Sequence, residues 1–96
     1  MRANFSYNNI VFKKDSHGEG LVARGEITNK TGRDFHSVVF RLVLFIKNIP
    51  IGDVAVTING FNSGQTRTFE KQVGELVYSK VIKDISRYEI FPDSGY

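Results

Sequence analysis

Along most of the chain, apolar side chains recur at every second position. Leu21, Ala23, Gly25 and Ile27 fall on one face of an extended segment, with Arg24, Glu26 and Thr28 on the other. That pattern predicts a half-buried strand whose charges face water. From Val38 to Lys47 the alternation places Val38, Phe40, Leu42, Leu44 and Ile46 on one side. The opposite side, Val39, Arg41, Val43, Phe45 and Lys47, is also largely apolar. Such a strand is central in its sheet or covered on both faces. Between the two strands, residues 29–34 form a cluster of turn formers in which Gly32 supplies positive φ without steric cost.

Asn48-Ile49-Pro50-Ile51-Gly52 predicts the end of the long strand, because proline cannot donate a ladder hydrogen bond. Val54, Val56 and Ile58 open the next strand, residues 59–64 form a loop, and alternation resumes from Gln65 to Val73 with Phe69 inward. An amino-terminal strand runs through Phe5 to Lys13. Both of its alternate sets contain apolar residues, and Ile10 and Phe12 are placed inward. A last strand runs from about Ile85 to Phe91 and stops at Pro92, leaving residues 93–96 polar enough to fray. Leu76 to Lys83 carries two signals. Val77 and Val81 stand four apart, as on a helix, while Tyr78-Ser79-Lys80-Val81 also reads as strand, and a strand or irregular connection suits an all-β chain better. Six or seven short strands, with turns about every 8 to 12 residues, read as a β-sandwich or small barrel.

Three segments resemble the FxLYD domains, a family of small immunoglobulin-like β-sandwiches. Gly25-Glu26-Ile27-Thr28-Asn29-Lys30-Thr31-Gly32 is similar to the family's G-x-V-x-N-x-T/S-G strand and turn. Phe40-Arg41-Leu42-Val43-Leu44-Phe45 is similar to the F-x-L-Y-D strand, with Phe45-Ile46 replacing the closing Tyr-Asp. Residues 62–69 resemble the L-x-P-G-E-x-x-x-F segment, with Ser63 where proline is common. The likeness covers roughly residues 20–70. It implies an immunoglobulin-like antiparallel β-sandwich of about seven short strands, acting as an accessory or interaction module on extracytoplasmic bacterial proteins. It transfers no catalytic residue.

At 96 residues the chain makes one domain, spanning 1–96, whether whole or excised from a longer protein. Cysteine is absent, which excludes disulfides, thiolate nucleophiles and Cys-ligated metal centres. The opening residues lack the apolar run of a signal peptide. The longest apolar stretch, Val38 to Ile46, is about half of what a membrane helix requires.

The residues that carry chemistry are dispersed. His17 lies in a Gly- and Asp-marked loop and His36 beside Phe35, so neither has a metal-ligand or triad spacing. Glu26, Asp53, Glu70 and Glu89 meet only if the fold brings them together. On alternation Glu26 shares its face with Arg24 as an exposed pair. Asn4-Phe5-Ser6 and Asn29-Lys30-Thr31 match the glycosylation triplet. No cofactor and no catalytic centre are expected.

The net charge of +3 raises a second reading, an OB-like barrel binding single-stranded nucleic acid. The thirteen basic residues, Arg2 among them, are spread along the chain, with only Lys13 and Lys14 adjacent. The preferred reading is a non-catalytic module that binds a protein partner through a sheet face or edge. Its candidate interface is Val39, Arg41, Val43, Phe45 and Lys47, with the two basic residues as a rim. A partner protein, a flanking domain or a second copy in a weak dimer would cover it.

Overall fold

The period-two segments assemble into two three-stranded antiparallel sheets in the computed structural model, which describes residues 4–96. Strands β1 (Phe5–Lys14), β2 (Gly20–Asn29) and β5 (Thr66–Val77) form one sheet in the order β1-β2-β5. Strands β3 (Phe35–Ile46), β4 (Ile49–Phe61) and β6 (Arg87–Gly95) form the other, in the order β4-β3-β6. In immunoglobulin lettering these sheets read A-B-E and C′-C-F. The chain is therefore an immunoglobulin-like β-sandwich of six strands. Two open sheets, rather than a closed barrel, remove the structural premise of the OB-like alternative.

The alternation of β2 and β3 is what fills the space between the sheets. Leu21, Ala23 and Ile27 meet Val38, Phe40, Leu42 and Leu44 there, all fully excluded from water. Full burial of each Leu, Ile, Val or Phe contributes roughly 1.5–3 kcal/mol. Phe5 packs edge-on against Phe40 at 4.9 Å and stacks with Phe61 at 5.9 Å, closing one end of the core.

A β-bulge explains why β1 has apolar residues in both alternate sets. Asn8 pairs with Glu26 and Val11 with Arg24, so Asn9 and Ile10 together face Gly25. Asn9 takes a positive φ of 55°, and the inward set switches there from Phe5 and Tyr7 to Ile10 and Phe12. Ile10 and Phe12 are inward as expected, and Phe5 and Tyr7 are inward as well. Gly25 makes room for this: a Cβ there would strike Ile10 and stand 3.0 Å from the Phe69 ring.

The long strand ends at Ile46, just before the 48–52 segment expected to stop it, and Pro50 lies within the next strand, β4, opposite Phe45 at a register shift. Three expectations are corrected. Pro92 likewise lies within β6, opposite Phe40 at a second shift, and pairing continues to Gly95 opposite Val38. Both strands are sheet edges, where a missing N–H need not break the ladder. Residues 93–96 do not fray, since Tyr96 accepts from the His36 N–H at 2.7 Å and donates to the Ser37 carbonyl at 3.1 Å. Residues 78–81 form a single helical turn, α1 (Tyr78–Val81), rather than strand.

One buried polar side chain ties the sheets together. Asn29, at the end of β2, is fully buried. Its Nδ2 donates to the carbonyls of Arg33 (2.8 Å) and Phe61 (3.0 Å). Its Oδ1 accepts from the Thr31 N–H (3.0 Å) and the Thr31 hydroxyl (2.7 Å). Both donors and both acceptor sites are used, the full capacity of the amide. The links join β2 to the turn before β3 and to the end of β4 in the opposite sheet.

Two predictions follow from this packing. Asn29→Ala leaves the Arg33 and Phe61 carbonyls without this donor, so it should lower unfolding stability by about 2–4 kcal/mol in urea titrations; a loss within error of zero contradicts the tie. Burial pushes the Tyr7 phenol up to about 12 from its ordinary 10.0. The unfolded chain releases this proton first, so stability should fall as pH rises from about 10 to about 12. A phenolate absorbance titration should show a late-ionising phenol that Tyr7→Phe removes.

Candidate interaction face

The outward face of the β4-β3-β6 sheet follows from the same alternation that fills the core. As the central strand, β3 presents Val39, Arg41, Val43 and Phe45 outward, each half-buried by its neighbours. Backbone register builds rows across the sheet: Thr57, Val39 and Ser94; Ala55, Arg41 and Phe91; Asp53, Val43 and Glu89; Pro50, Phe45 and Arg87.

Arg41 is not a rim residue. It stands at the middle of the face, with Nη1 on Asp53 Oδ2 at 2.7 Å and Nη2 on Asp93 Oδ2 at 3.4 Å. The hydrogen bond to Asp53, with that to Asp93 adding to it, raises the guanidinium pKa against a desolvation that lowers it. Arg87 lies over the Phe45 ring, its Cζ 3.8 Å from the centroid, and pairs with Glu89. Arg87, from the neighbouring strand, thus shields Phe45 from water. Phe91, beside Arg41, stays 39% exposed.

Lys47 departs from the expected site. It lies beyond the end of β3 in the two-residue turn before β4, exposed and at a positive φ of 57°. Next to Val43, the register shift in β4 opens a depression of about 350 Å³ lined by Val43, Pro50, Ile51, Gly52 and Asp53. Phe91, Asp93, Arg87 and Pro50 had no place in the sequence-derived face. Arg87 and Phe91 lay in the expected last strand but needed its pairing with β3 to join the face, whereas Pro50 and Asp93 needed strands that run through a proline.

The outward face of the other sheet is mostly polar, with Val11 exposed beside Arg24. Thr28 and Thr66 share a hydrogen bond at 2.7 Å, and Lys13 pairs with Glu70 at 3.0 Å. The expected Arg24–Glu26 pair does not form. Glu26 instead accepts from Asn9 Nδ2 at 2.9 Å, across the bulge, and among the described residues Arg24 makes no salt bridge.

The four carboxylates weighed for acid–base chemistry do not converge. Glu26 and Glu70 face outward on one sheet and Asp53 and Glu89 on the other, each engaged with a different side chain. His17 sits in the β1–β2 turn, where its backbone N–H donates to Asp15 Oδ1 at 3.3 Å. His36 lies exposed against the Tyr96 ring. Among the described residues no three His, Cys, Asp or Glu side chains gather as a metal site would need, and no helix is long and apolar enough to cross a membrane.

Of the basic residues, Arg2 lies outside the described part. Lys13, Lys14, Arg41 and Arg87 are salt-bridged. Arg33 covers Phe35, and Arg67 donates to the Asn59 and Gly60 carbonyls. Of the two glycosylation triplets, Asn4 is exposed, while the folded chain encloses the Asn29 amide.

The residues that resemble FxLYD motifs sit in the framework. Gly25 permits the β1 approach, Asn29 and Thr31 form the tie, Phe40 and Leu42 are core, and Gly64 supplies a turn φ of 86°. Comparison of the chain with family models, curated proteins and solved structures finds no match to any of them.

Proposed function

We propose that this protein is a non-catalytic recognition module that engages a protein partner through the outward face of its β4-β3-β6 sheet. One observation carries the reading. The face sets exposed Phe91, half-buried Val39 and Val43 and the depression beside Val43 around the Arg41–Asp53–Asp93 cluster, with Phe45 under Arg87. Apolar anchors with arginine and a charged surround are the composition of interface hot spots.

The edges support a face in preference to a full-length strand addition. Register shifts interrupt β1, β4 and β6, and such breaks are a common defence against edge pairing. On the outward face of the other sheet Val11 is the one large exposed apolar residue among the described residues, set among threonines and charged side chains. The resemblance to FxLYD domains adds the expectation of an accessory module on an extracytoplasmic bacterial protein.

A photo-crosslinking residue at Val43, compared with one at Thr68 on the opposite sheet, tests the assignment in cells producing the protein. Val43 should yield a discrete crosslinked protein that Thr68 does not, and Phe45→Lys or Phe91→Lys should abolish it while the variants melt near the parent temperature. Identical products from both positions, or none from Val43, would overturn the reading.

A further inference from the structure

Of the four edge strands, β6 offers the most open backbone. Along one flank β4 and β5 lie side by side, and Arg67 reaches from β5 to the Asn59 and Gly60 carbonyls of β4. Those two edges shield each other. On the opposite flank β1 is broken at its midpoint by the Asn9 bulge and ends in Lys13 and Lys14. Strand β6 has its shift only at Pro92 and Asp93, so Arg87 to Phe91 is an uninterrupted edge. Two of the large exposed apolar residues, Tyr88 and Phe91, stand on that stretch. Beside it a depression of about 330 Å³ is lined by Phe12, Ile82, Ile85 and Tyr88, with Ser86 and Arg87. Among the described residues no strand pairs with the outer side of β6.

The charges along β6 select the occupant. We propose that β6 pairs antiparallel with β6 of a second copy of this chain, across a two-fold axis at Ile90. That register sets Arg87 opposite Asp93 of the second copy, twice by symmetry, and Glu89 opposite Phe91. An axis at Glu89 would set that carboxylate against itself, and one at Phe91 would set Glu89 against Asp93. An axis at Tyr88 would pair Arg87 with Glu89 but run off the start of the strand. Like charges directly opposite destabilise a sheet, and opposite charges support it. The self-complementary register is the isologous contact that a two-fold dimer requires. Pro92 lacks an N–H and limits the ladder, so the dimer is weak and concentration-dependent. Pairing would join two sheets into one of six strands and set two copies of the candidate face side by side. This inference does not depend on that face binding a partner.

Sedimentation velocity over a concentration series tests the proposal. The mass should rise from 10.9 kDa toward twice that value at millimolar concentration. Arg87→Asp should reduce the dimer, and Arg87→Asp with Asp93→Arg should restore it, although both variants lose the Arg87 contacts with Phe45 and Glu89 and the double variant also loses the Arg41–Asp93 contact. Melting curves identify any variant that fails to fold, and the unaltered protein supplies an independent readout. Amide exchange at residues 89–91 should slow as concentration rises, while amides of β1 should not change. A mass fixed at the monomer, failure of two folded variants to show loss and rescue, or concentration-dependent protection elsewhere would overturn it.

Discussion

A buried amide that uses all of its hydrogen-bonding capacity organises one end of this sandwich. Asn29 carries no net charge, so its burial costs less than that of an aspartate, and four partners offset the desolvation. Around it the backbone is equally committed. Its N–H donates to Gln65 and its carbonyl accepts from Gly64, while the next residue donates to the Asn4 carbonyl. Asn29 thereby holds the β2–β3 turn, the β4–β5 turn and the end of β4, and Lys30 beside it holds the chain before β1. An aspartate could not donate to the Arg33 and Phe61 carbonyls, and an alanine could do nothing for either. Hydrophobic packing explains why the sheets adhere; the amide explains why they adhere in this register.

The second organising device is the bulge. A strict alternation would have forced β1 to expose either Phe5 and Tyr7 or Ile10 and Phe12. By placing Asn9 in a left-handed conformation opposite Gly25, the chain buries both pairs against one core. Shifts at Pro50 and Pro92 serve the other sheet's edges in a related way. They let proline lie within a strand, they limit edge pairing, and at β4 the shift opens the depression beside Val43. Irregularity in these strands thus shapes both the candidate face and the open edge.

How much of this was legible in the sequence depended on the range of the interaction. Leu21 to Ile27 and Val38 to Leu44 announced their burial through period two alone, since each side chain's face is set by its neighbours. Pro92 misled because its meaning depends on whether a strand lies at an edge, which is a property of topology. The helical turn at Tyr78 is one turn long, too short for periodicity to separate from strand. Asn29 was visible as a turn former, but the Phe61 carbonyl it holds lies 32 residues away. On the face, Val39, Val43 and Phe45 were visible from β3; Phe91 lay in the expected last strand, but its place beside Arg41 needed the pairing of β6 with β3, and Asp93 required β6 to continue through its proline.

A rigid frame is what allows a sheet face to serve as a recognition surface, because anchors that shift with the sheet lose the advantage of preorganisation. The account therefore stands most directly on whether Asn29 is locked as described. Hydrogen exchange of its side-chain amide protons, followed by nuclear magnetic resonance, measures that lock without altering the molecule. Both protons should exchange as slowly as the backbone amides of Leu42 and Ile27, opening only when the domain unfolds. Exchange as fast as that of the exposed Asn48 and Asn62 side chains would contradict the account.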